Sequence, residues 1–83
     1  RFIEGVENFR QGARFLVLED VVTTGGSAVK AIGILRNEGF CPTHVFSLVD
    51  RESGGAERFR ELGVSFSSLF TLSEVRERHH QKG

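Results

Sequence analysis

The 83 residues carry 11 Lys and Arg against 11 Asp and Glu, and 39% are apolar. This is the composition of one small folded domain; it argues against disorder, and the lack of any basic excess argues against a nucleic-acid partner. The longest apolar run, Phe15 to Leu18, is far short of the ~20 residues a membrane span needs, so no membrane partner is expected. One cysteine, Cys41, cannot make an internal disulfide, which points to a reducing, cytoplasmic setting. The sequence has no Met and starts on Arg1, the pattern expected of a processed or partial chain. A domain of this size is marginal alone, because it buries only ~60% of its unfolded surface.

In chain order, residues 1–13 read as an edge strand and turn, since Gly5 and Gly12 argue against one continuous helix. Residues 14–19 are a continuous apolar run, as expected of a strand covered on both faces of a parallel sheet. Residues 27–38 predict a helix, with Ala28, Ala31, Ile32 and Leu35 on one stripe and Gly39 placed to end it. Residues 44–49 predict a second buried strand, with Cys41-Pro42 in the turn before it. Residues 55–62 form a short helix facing inward through Ala56, Phe59 and Leu62. A third strand follows near 65–70. Thr71 to Glu74 has the capping-box pattern that opens a last helix, with Leu72, Val75 and His79 on one side. The order β-α-β-α-β-α predicts an α/β fold with a parallel sheet and right-handed crossovers. In such sheets ligands bind beyond the carboxyl ends of the strands, which selects Glu19 to Ser27 and Asp50 to Gly55.

The first of these stretches reads Glu19-Asp20-Val21-Val22-Thr23-Thr24-Gly25-Gly26-Ser27. Two glycines permit a tight turn with inward amides, and Thr23, Thr24 and Ser27 add hydroxyl donors. The helix that starts near Ser27 turns its unpaired N–H groups and positive dipole end to the same spot. This is an anion site that suits a phosphate monoester. Two acids beside it would repel a bare phosphate. They fit a ligand that also donates hydroxyls, such as a ribose 5-phosphate, or one that develops positive charge at carbon. On its own, Thr23 to Ser27 also reads as a plain strand-to-helix loop with an N-cap, and Glu19-Asp20 as a solvated strand end. The string is neither a Walker loop nor a dinucleotide-binding turn.

The stretch Leu16 to Ser27 resembles the phosphoribosyl-pyrophosphate motif of type I phosphoribosyltransferases. Three more stretches narrow the resemblance to the orotate phosphoribosyltransferases. Phe2-Ile3-Glu4-Gly5 resembles the segment after the family's mobile loop, Leu48 to Gly55 its Asp-Arg-x-x-Gly-Gly stretch, and Leu62 to Leu72 its closing strand and helix. The resemblance implies a partial Rossmann-like phosphoribosyltransferase domain over residues 1–83. It also implies a reaction. Orotate and phosphoribosyl pyrophosphate give orotidine 5′-monophosphate and pyrophosphate in pyrimidine synthesis, with Mg²⁺ held mainly by the substrate, in a homodimer.

By position, Glu19 and Asp20 would be the catalytic acids holding the ribose hydroxyls. Glu19, Asp20, Val21, Val22, Thr23, Thr24, Gly25, Gly26 and Ser27 would bind phosphoribosyl pyrophosphate, and Thr23 and Arg51 would meet orotate. A planar guanidinium at Arg51 suits a carboxylate, with a salt bridge to Glu52 or Glu19 as the alternative use.

In the family a Lys-rich mobile loop covers the pyrophosphate; the lysines of this sequence, Lys30 and Lys82, do not stand where that role needs them. The 83 residues are therefore expected to be an inactive part of such an enzyme. Two other classes stay open: a non-catalytic phosphoribosyl-binding or regulatory module, and a structural unit that folds by self-assembly. No protein-held metal is expected: His79-His80 reads as a solvated helix end, His44 opens a strand away from the site, and Cys41 is structural. The phenylalanines fall largely on apolar stripes and read as core.

Overall fold

The computed structural model describes residues 10–82, with side chains to residue 77. Three strands alternate with three helices: β1 (Arg14–Val22), α1 (Gly26–Asn37), β2 (Cys41–Asp50), α2 (Gly55–Glu61), β3 (Ser65–Thr71) and α3 (Leu72–Lys82). The expected order of elements holds. Of the edge strand and turn read for residues 1–13, a turn is found at residues 11–12, and residues 1–9, with the Phe2–Gly5 segment and Phe9, lie outside the described residues, as do the side chains of His79 and His80.

The strands pair in parallel in the order β1-β2-β3. β1 and β2 are longer than their apolar runs suggest. β1 continues through Asp20 to Val22, past the acid pair, because Val21 and Val22 still find partners in Val49 and Asp50. β2 begins at Cys41, paired with Arg14, so Cys41 and Pro42 belong to a strand and not to the turn expected for them. Proline has no N–H for the ladder and is tolerated in a central strand only at an irregularity. The register steps there: Phe15 pairs with Pro42 and Leu16 with His44, which leaves Thr43 as the extra residue.

The sheet buries one face. Val17, Val45 and Val64 join Ala28, Ala31, Ile32 and Leu35 of α1 and Phe59 of α2 in a single core cluster. The rings of Phe59 and Phe66 lie 5.1 Å apart, and those of Phe15 and Phe40 5.0 Å. On the other face Leu16, Leu18, Leu48 and Leu69 are exposed, Leu18 by 61%. The two-sided burial expected for β1 and β2 is therefore not found among the described residues. Topology is the reason. Strands that follow one another in spatial order, each joined by a right-handed crossover, put their connecting helices on the same face. A continuous apolar run does not reveal which face is served first. Phe70, 37% exposed, also falls outside the core that its alternation suggested.

The helix ends follow local chemistry. Gly39 adopts φ +86° just past α1 and its amide bonds to Arg36 O, the left-handed stop that the sequence signals. At α3 the capping box is complete: Thr71 N–H donates to Glu74 Oε1 at 2.8 Å, and Glu74 N–H donates to Thr71 Oγ1 at 3.2 Å.

Candidate functional site

Because β1 and β2 run in parallel and finish together at the Val22–Asp50 pair, the loops that follow them emerge side by side. The first is the turn into α1. Gly25, at φ +87°, is the N-cap residue, and no side chain caps the helix. The first helical bond runs from Val29 N–H to Gly25 O at 2.8 Å. The amides before it have no intrahelical acceptor, so the helix presents its donors and dipole outward. Glycine is itself a common N-cap residue, and α2 starts in the same way on Gly54, without a side-chain cap. Ser27 donates its hydroxyl to Glu19 Oε2 at 3.4 Å.

The acids separate. Successive residues of a strand face opposite sides, so Glu19 lies toward α1 and Asp20 toward the open face of the sheet. Glu19 is half-buried and joined to Ser27, whereas Asp20 is exposed. The structure thus brings Glu19 into the turn and leaves Asp20 at its rim. Glu19, Thr23, Gly25 and Ser27 border a cleft of ≈ 30 Å³. That is about the volume of one water, so a phosphoryl group would rest across its mouth.

The second loop follows β2. Asp50 is buried, at 9% exposure, and its Oδ1 accepts the Glu52 N–H at 2.9 Å, an Asx turn. Arg51 donates its amide to Val22 O at 2.8 Å, which ties the loop to the end of β1. Its side chain is exposed and makes no ion pair or hydrogen bond with the described residues. The alternative salt bridge to Glu52 or Glu19 is not formed, since Glu52 binds Ser73 and Glu19 binds Ser27.

The two loops touch through glycine. A Cβ on Gly55 would lie 2.5 Å from Val22 Cγ1 and 3.0 Å from Thr23 O. One on Gly25 would lie 3.2 Å from both the Gly55 Cα and the Phe59 ring. Gly55 N–H donates to Thr23 O at 3.2 Å, and Arg58 Nη1 to Thr24 O at 3.2 Å. Thr23 therefore sits at the junction of the two loops. The sequence placed Asp50 and Glu52 in a ligand-end stretch without showing the bonds they make, and it carried no sign of Arg58. The Asp-x-Glu spacing of an Asx turn was a signal for the first, but nothing local marks the other two.

The remaining candidates lie away from this edge. Cys41 is exposed at the amino end of β2, and His44 Nε2 lies 3.0 Å from Ser67 Oγ. The described residues hold no cluster of three His, Cys, Asp or Glu side chains suited to a metal. No helix among them is long and apolar enough to cross a membrane.

No protein-family model matches the chain. Curated proteins do. An orotate phosphoribosyltransferase of Nostoc is 46% identical over 82 residues, 99% of this chain and 39% of the relative. The crystal structure of orotate phosphoribosyltransferase from Aeropyrum pernix superposes with a TM-score of 0.81 at 36% identity, over 83% of this chain and 42% of that one. The Mycobacterium tuberculosis enzyme, solved with 5-phospho-α-D-ribosyl 1-diphosphate, matches at 0.70 and 36% identity, over 74% of this chain and 38% of its own. The chain spans about two-fifths of the length of these relatives. By sequence and by fold the chain is similar to one part, about two-fifths, of the orotate phosphoribosyltransferases.

Proposed function

We propose that these residues form the ribose-phosphate and base-binding part of an orotate phosphoribosyltransferase site. The reaction moves ribose 5-phosphate from phosphoribosyl pyrophosphate to orotate, giving orotidine 5′-monophosphate and pyrophosphate. The observation that carries this reading is the uncapped start of α1, set beside Glu19 at the carboxyl end of β1. The amides and hydroxyls from Thr23 to Ser27 would hold the 5′-phosphate. Each charge-assisted bond of this kind contributes ~1.5–3 kcal/mol. Glu19 and, from the rim, Asp20 would accept the ribose hydroxyls. As the bond at C1′ breaks, positive charge develops on the sugar, and carboxylates already in place stabilise it without reorganising. The Arg51 guanidinium would take the orotate carboxylate, and Thr23 would bridge the two ligand halves.

Mg²⁺ would arrive on phosphoribosyl pyrophosphate, ligated mainly by substrate oxygens and water, a mode that asks for one or two protein carboxylates at most. Glu19 and Asp20 fit that demand. The family likeness extends the proposal to a homodimer, and the lone thiol of Cys41 suits the cytoplasm. On this reading the 83 residues bind ligands without turning them over, and orotate turnover measured on them alone would contradict it.

Titration calorimetry with ribose 5-phosphate tests the site. Binding is expected, and Glu19→Gln and Asp20→Asn should each weaken it more than Glu57→Gln in α2. An absence of heat at millimolar ligand, or equal effects of the three substitutions, would refute the carboxylate and phosphate assignments.

A further inference from the structure

Glu52 is the only non-glycine residue among those described with a positive φ, +61°. Backbone of this kind is unfavourable for a side chain with a Cβ and persists only where surrounding contacts impose it. Three hydrogen bonds impose it here. Asp50 Oδ1 accepts the Glu52 amide at 2.9 Å. Glu52 Oε1 in turn accepts the Ser73 N–H at 3.1 Å and the Ser73 hydroxyl at 2.6 Å. Ser73 lies in the first turn of α3, where an open amide and the helix dipole both favour a carboxylate. The residue just after Arg51 is thereby fastened to a helix 21 positions further on, while the Arg51 amide is fastened to Val22 O. The backbone is clamped on both sides of Arg51, whose side chain has no partner among the described residues.

We infer that Glu52 is a positioning residue: by bridging to the start of α3 it holds the Asp50–Gly55 loop in the left-handed conformation that presents the Arg51 guanidinium to the base. This rests on the reading of Arg51 as the base-binding residue. The alternative is that Glu52 merely joins two surface elements. The two differ in what they do to ligand selectivity, because the phosphate turn is held by Gly55, Arg58 and Phe59 and not by Glu52.

The experiment compares affinities of the 83-residue chain for orotidine 5′-monophosphate and ribose 5-phosphate, which differ by the base. The chain should prefer the nucleotide, and Arg51→Ala should abolish the preference. Glu52→Ala should cut it about five- to tenfold, the scale of one or two solvent-exposed hydrogen bonds, with ribose 5-phosphate binding unchanged within about twofold. Glu52→Gln keeps an acceptor oxygen and should restore the preference. Glu52→Gly adopts the left-handed backbone without a tether, so it should melt no lower than the parent and keep more of the preference than Glu52→Ala, which separates loop conformation from misfolding of the Ala variant. An unchanged preference in Glu52→Ala, a preference in Glu52→Gly no greater than in Glu52→Ala, or an equal loss for both ligands overturns the inference. An unchanged preference in Arg51→Ala, or no preference in the parent chain, overturns the Arg51 reading beneath it.

Discussion

The turn after β1 and the loop after β2 lie side by side but are ordered by opposite means. The first presents backbone amides. The helix that follows it has no side-chain cap, and the turn takes its order from packing, with Gly25 against Phe59 and Gly55 against Val22. The second presents a side chain. Its own amides and carboxylates are free to organise it, and they do, through Asp50, Glu52 and Ser73. A backbone-reading loop is stiffened from beneath, and a side-chain-reading loop is laced from within.

This contrast can be broken by substitution. The largest effect is expected from Phe59→Ala, which removes a fully buried ring under the phosphate turn. A loss of ~3–5 kcal/mol is typical of such a change and should leave a domain of this size largely unfolded by circular dichroism at 25 °C. Retention of a cooperative melt near the parent temperature would show that packing does not order the turn. Next comes Gly55→Ala, whose methyl meets Val22 and the Thr23 carbonyl. A cost of ~1–3 kcal/mol is expected, together with weaker ribose 5-phosphate binding, readable by thermal melting and calorimetry; a silent substitution would mean that the loops separate easily. The smallest effect is expected of Thr71→Ala, which opens the capping box of α3 at ~1 kcal/mol. It should lower the melting temperature by several degrees, leaving ribose 5-phosphate affinity as it was. Loss of that affinity would tie the phosphate turn to α3 and erase the distinction between the two loops.

Much of this was readable from residue order. Periodicity located all six elements, Gly39 and Thr71–Glu74 marked helix ends, and the string from Glu19 to Ser27 located the turn. The parts that stayed hidden are those decided by non-local geometry. Leu16 and Leu18 have the same apolar character as Val17, and only the sense of the crossovers says which of them is covered. Pro42 reads as a turn residue until the bulge that accommodates it is seen. Glu19 and Asp20 look like one unit in the sequence, yet the pleat sends them to different sides. Glu52 reads as any surface acid, because its partner Ser73 is 21 residues away.

The contact between Gly25 and Gly55 limits how such a site can be re-engineered. Swapping the segment after β2 for one with another nucleobase preference would look like a local graft, but the incoming segment must keep a hydrogen atom where Gly55 has one. Any bulkier donor sequence would push back the neighbouring turn from Val22 to Gly25 and, on the proposed reading, weaken the hold on the sugar phosphate along with the old base. Altered specificity in this scaffold should therefore evolve by exchanging the residues around that glycine, never the glycine itself.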